Sequence, residues 1–183
     1  TARQYMEEAL QIYRRLDDRW FISQILWYLG KICWQQGEKA LAITQWEESV
    51  ALGHMVGAKE FVGGSRLLLG FAALQADDYH QARTHFAESL TIYRQMEHHA
   101  GIAYALSGLA ALVKPPTKAA QILGAAAALL IHCRMPLDGL EHSHYKRILS
   151  AVRAQLDEAT FAAAWATARA ISLEQAVESF QST

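Results

Sequence analysis

The chain has 183 residues, 17 of them Lys or Arg and 18 Asp or Glu, for a formal net charge of −1; 52% are hydrophobic and 19% charged. This composition excludes a disordered polar chain and leaves room for one domain with a sizeable core or one repeat array. Near-neutrality removes any bulk electrostatic attraction to nucleic acid or to an anionic membrane, so no direct nucleic-acid contact is expected.

Hydrophobic periodicity, punctuated by turn residues, predicts helices over 2–16, 20–36, 39–53, 58–76, 79–97, 100–113 and 118–132. The turns between them carry breakers or caps: Gln36-Gly37-Glu38, Asp77-Asp78 and Pro115-Pro116. The most apolar stretch, 119–133, is short and rich in alanine and glycine, so it reads as a packed helix and not as a membrane span. No signal peptide is recognisable in the charged, helical start. The first residue is Thr1 and not methionine, which suggests a fragment or a processed chain. Cys33 and Cys133 each lie in an apolar run, far apart, and are expected as reduced core thiols of a cytoplasmic protein.

These helices repeat. Ala2-Arg3, Glu8, Leu10, Ile12-Tyr13-Arg14 return as Ala82-Arg83, Glu88, Leu90, Ile92-Tyr93-Arg94. A middle copy, with Ala42, Trp46, Glu48, Ser49 and Val50, halves that spacing to a period of 40. Leu29-Gly30 likewise recurs as Leu69-Gly70 and then Leu109-Ala110. The third unit shortens by three residues around 114–117, and its second helix resumes with Ala119, Leu123 and Ala126. Small residues in this pattern let helices approach, and the large ones fill the adjoining space. The chain thus opens on the second helix of a repeat. After Cys133 the period is lost: 134–139 reads as a loop, followed by helices at 143–156, 158–170 and 172–180, the last with a Ser172/Gln175 capping box. The expected organisation is a repeat array over 1–133 and capping helices over 134–183.

Leu26, Leu29, Gly30 and Cys33 in one helix, with Ala42, Trp46 and Ser49 in the next, resemble the tetratricopeptide repeat; Arg66 departs from the apolar residue that Leu26 represents. The runs 87–90, 101–106, 123–126, 161–165 and 172–176 are more specifically similar to the C-terminal repeat region of large bacterial signalling ATPases and LuxR-type transcriptional regulators. The resemblance implies an all-α, right-handed superhelix of antiparallel helical hairpins with a C-terminal helical cap. It also implies a non-catalytic regulatory arm that binds a protein or peptide segment, including one from its own parent chain. The chain has no phosphate-binding loop of its own.

In such hairpins the first helix lines a concave groove. Trp27, Lys31 and Trp34 form one stripe of the first unit; Leu67, Phe71 and Gln75 follow in the second and Tyr104 in the third. These seven are candidate groove residues for a peptide. The alternatives are plain packing of the tryptophans, a small inducer bound between Trp27, Trp34 and Phe71, and an architectural oligomerisation arm. No cofactor, metal site or catalytic residue is expected. His142 and His144 point apart on a helix and read as surface or cap residues, as do His98 and His99. The carboxylate pairs Glu7-Glu8, Glu47-Glu48 and Asp77-Asp78 recur with the repeat or lie in turns, unlike a catalytic dyad. Gly63-Gly64 is expected to open the first helix of unit two and to give flexibility between repeats, with an anion site as the alternative.

Overall fold

The structure is a computed structural model that describes residues 2–131, 133 and 139–168. Those residues form an all-helical protein: α1 Ala2–Arg15, α2 Arg19–Gln35, α3 Lys39–Val56, α4 Lys59–Gln75, α5 Tyr79–Gln95, α6 His99–Ala110, α7 Pro116–Ile131, α8 Gly139–Arg153 and α9 Glu158–Ala168. The first seven fall within a few residues of their expected positions. Most of the 134–139 loop, the end of the 158–170 helix and the 172–180 helix with its capping box lie outside the described residues.

The turns carry a regularity finer than the 40-residue period. A residue with positive φ stands at Asp17, Gly37, Gly57, Asp77 and Glu97, one every twenty positions. At each, the next residue's N–H donates to a carbonyl five residues back: Asp18 to Tyr13, Glu38 to Cys33, Ala58 to Gly53, Asp78 to Ala73 and His98 to Tyr93. This closing bond satisfies a carbonyl that the helix end leaves open, at the cost of one left-handed residue. The following helix starts at once, with Asp18, Asp78 and His98 side chains accepting from Phe21, Gln81 and Gly101 N–H. Turns this short force successive helices into antiparallel contact.

The helices then lock by small-against-large packing. A Cβ on Gly30 would stand 2.2 Å from the Trp46 indole, and one on Gly70 would stand 2.6 Å from the Phe86 ring. Trp46 and Phe86 are both fully buried. A hydrogen bond repeats with the same period: Ser49 Oγ donates to the Ser23 carbonyl at 2.8 Å, and Ser89 Oγ to the Gly63 carbonyl at 2.9 Å. Gly63 and Gly64 correct the flexible-start expectation. They lie in the second turn of α4, buried, with Ile92 and Tyr93 against Gly63 and the Trp27 indole against Gly64. Absence of a side chain there serves close packing, not motion. Arg66, the odd residue in the pattern, is kept at the surface edge by an ion pair with Glu88 at 2.8 Å.

The alternation ends after α7. It is α9, not α8, that packs extensively along α7, in the place the next hairpin helix would take. α8 instead lies against α6 and α7 and reaches across to side chains of α2 and α4. No helix among the described residues is long and apolar enough to cross a membrane.

Candidate functional site

The helices α2, α4 and α6 touch one another in order and form one continuous face. Their forty-residue hairpin spacing keeps Lys31 and Trp34, then Phe71 and Gln75, then Tyr104 on that face. α8 lies over it. Leu140, Tyr145, Ile148 and Val152 are the buried apolar stripe of α8, and its polar groups meet the candidate groove residues one by one.

Lys31 Nζ donates to both Glu141 carboxylate oxygens, at 2.8 and 3.0 Å. The same ammonium lies 4.7 Å from the centre of the Trp27 ring, so the indole screens one side of the pair from water. The two side chains are only 21% and 13% exposed. Tyr104 Oη lies 3.5 Å from His142 Nδ1. The His144 imidazole stacks flat on Phe71, with ring centres 4.3 Å apart and an interplanar angle of 8°, and Trp34 flanks it at 6.3 Å. Gln75, with its amide oxygen turned towards α8, accepts from both terminal nitrogens of Arg147 at 3.0 Å. Arg147 also lies 3.4 Å from His144 Nδ1. Burial, and then that guanidinium, push His144 down to about 4, so the ring is neutral at ordinary pH.

Five of the seven candidates, Lys31, Trp34, Phe71, Gln75 and Tyr104, are thus brought together beneath one helix. Trp27 joins them only through Lys31. Its indole packs on Gly64 and Phe61, and its buried Nε1 has no hydrogen-bond partner among the described residues. Leu67 departs from the expectation: it is sealed in the core and presents no surface to a ligand. Trp34 serves both readings at once, since it also packs against Trp46 at 5.5 Å.

His144 corrects the surface assignment, being 5% exposed. Sequence reasoning places a helix at 143–156 but as a cap, and weighs His142 and His144 only as metal ligands or surface residues, so the helix's seat across this face is missed. The signal was present in the apolar stripe Leu140, Ile148 and Val152, whose intervening position on the same face is a histidine. His98 does act as a cap. The acidic pairs hold structural duties, with Glu7 on Arg3, Glu48 on Arg14, and Asp78 at the start of α5. Among the described residues no three His, Cys, Asp or Glu side chains converge as a metal site would need. Cys33 and Cys133 are free thiols, both pushed up by burial and so poor nucleophiles; Cys133 is only half-buried.

A separate cavity of 870 Å³ opens where the third unit is shortened, between the start of α5, the α6–α7 connection and the last turn of α8. α6 stops at Ala110, and the missing turn leaves Val113, Ala119 and Val152 as an apolar wall beneath the exposed cations Arg83 and Lys114. Neither cation has an ion-pair partner among the described residues. Compared with known proteins, the chain matches no family model, no curated protein and no solved structure.

Proposed function

We propose that this chain is a tetratricopeptide-like superhelical arm, non-catalytic, that serves as the regulatory interaction module of a larger bacterial signalling or transcriptional regulator. Its α2–α4–α6 face is a helix-binding groove, and α8 is the segment of the same chain that occupies it. One observation carries the reading: α8 engages the groove residues of all three hairpins, through the Lys31–Glu141 pair, the Phe71–His144 stack and the Tyr104–His142 contact. A helix that merely closed the end of the array would cover α7 and stop there, which is what α9 does. A groove with two states, filled by α8 or open, gives a bound partner something to bias.

The test is hydrogen exchange on Glu141→Lys, which sets two ammonium groups face to face in a half-buried site. Exchange of amides in 139–153 is expected to rise at least about tenfold, with α2–α5 unchanged. Loss of protection throughout the chain, or none anywhere, would refute a separately docked helix.

The small-ligand reading keeps one supporting observation, at a different place from the groove between Trp27, Trp34 and Phe71. The cavity beside Arg83 and Lys114 has the size and mixed lining of a small-molecule site and suits an anionic apolar compound. Native mass spectrometry of the purified chain tests it. Extra mass lost on denaturation supports the reading, and its loss on Arg83→Ala would place the compound there.

A further inference from the structure

Resting on the groove reading above, the chemistry of the docked helix specifies what else the groove takes. Phe71 forms an aromatic floor that is fully buried, with the edge of Phe86 behind it at 5.0 Å. Apolar matter is what such a floor rewards. It receives instead an imidazole that docking leaves only 5% exposed, with one ring nitrogen 3.4 Å from a guanidinium. An aliphatic side chain of similar size would cover the same floor without that desolvation.

One turn away the logic is opposite. Lys31 is a fixed cation in a half-buried site and is answered by a carboxylate. Such a pair gives little net affinity against an apolar replacement, but it rejects helices that lack the charge and so fixes register. The two features stand three residues apart on α8, at Glu141 and His144, on one side of a helix. α8 satisfies the charge test and meets the apolar site with a polar ring.

We infer that the groove binds, in exchange for α8, an amphipathic helix of another protein that carries a carboxylate opposite Lys31 and, three residues later, an aliphatic side chain in place of His144. α8 is a resident placeholder. It is tethered, and tethering acts as a local concentration in the millimolar range for a short linker. A loosely matched resident therefore keeps the groove closed to weak binders, and only a better-matched helix displaces it.

The experiment uses the full chain and fluorescein-labelled synthetic peptides of the 139–153 sequence: native, His144→Leu, and Glu141→Lys with His144→Leu. Fluorescence anisotropy on the wild-type chain reads affinity, and hydrogen exchange of the chain's own 139–153 segment reads displacement. The His144→Leu peptide is expected to bind at least about tenfold tighter than the native peptide and to raise exchange of the resident α8. The doubly changed peptide should fail on the wild type and bind a Lys31→Glu chain. Equal affinity of the native and His144→Leu peptides overturns the inference, as does binding that leaves α8 protected. So does a wild-type chain that sediments as a dimer with α8 exchanged between copies, since the outside helix would then be a second copy. Failure of Glu141→Lys to loosen α8 sinks the groove reading itself. Loosening without any gain from leucine sinks only this inference.

Discussion

Two interfaces in this chain bury aromatic rings by different means. Within the array, glycine faces an aromatic ring: Gly30 and Trp46 or Gly70 and Phe86 inside a hairpin, Gly101 and Tyr93 between two. Those contacts are dry, and one rigid shape fills the gap left by another. Between α8 and the array, an ion pair, a stacked histidine and an amide–guanidinium contact intervene. The first kind cannot open without leaving a void. The second can exchange its polar partners with water, so its opening costs much less. On the proposed reading, the array is the fixed half of the molecule and α8 the exchangeable half.

The most severe way to break that contrast is Phe86→Ala. This ring is fully buried and touches Gly70 and Phe71 of α4 and Gly108 of α6. Truncation should cost about 3–5 kcal/mol. In urea, the midpoint should fall for the whole array together. A variant that loses only α8 would show that the hairpins are less firmly joined than their packing implies.

Acid should act on the other half. His144 is held neutral with its value near 4, below its ordinary 6.5. The unfolded or undocked chain therefore binds the extra proton first. Docking is fully stabilised above about pH 6.5 and weakens as pH falls towards 4, by at most about 3 kcal/mol. Arg147 on α8 adds to the cost of protonating the ring. Hydrogen exchange of 139–153 between pH 7 and 5, corrected for intrinsic rates, should show α8 opening with acid in the wild type. In His144→Leu the pH dependence over that range should largely vanish. If both chains respond alike, another group carries the effect.

Gly70→Ala is a smaller test of the fixed half. Alanine gains about 1 kcal/mol of helix propensity over glycine. Against that, its Cβ would stand 2.6 Å from a fully buried ring, a clash of about 1–3 kcal/mol. A net loss of about 1 kcal/mol in thermal or urea unfolding is expected. A gain would mean that the Phe86 ring moves freely, and the two interfaces would no longer differ in kind.

The fixed half was largely legible in the sequence, because its rule is local. Leu29-Gly30 and Leu69-Gly70 repeat with Trp46 and Phe86 at constant distance, and each pair packs only with its neighbour. The seven helices follow from that. Gly63-Gly64 misled because glycine signals both freedom and close approach, and only the presence of Trp27 and Tyr93 decides between them. The groove candidates were readable as a stripe. Their occupant was not, because Lys31 and Glu141 meet across 110 residues by a contact that no period foreshadows.

The twenty-residue turn rule stayed hidden for a different reason, and it gives the smallest prediction. The positions Asp17, Gly37, Gly57, Asp77 and Glu97 share a backbone angle, not a side chain. Glycine adopts it without strain, aspartate tolerates it, and glutamate at +53° bears some cost. Gly57 stands at +70° with open space around it, so only the backbone resists substitution. Gly57→Asn should therefore change unfolding free energy by no more than about 0.5 kcal/mol, whereas Gly57→Val, branched at Cβ, should cost about 1–2 kcal/mol. Equal costs would show that the site needs room and not conformation. The turns would then be part of the same steric fitting that joins Gly70 to Phe86, and the rule that sets hairpin length would have to be sought in the helices themselves.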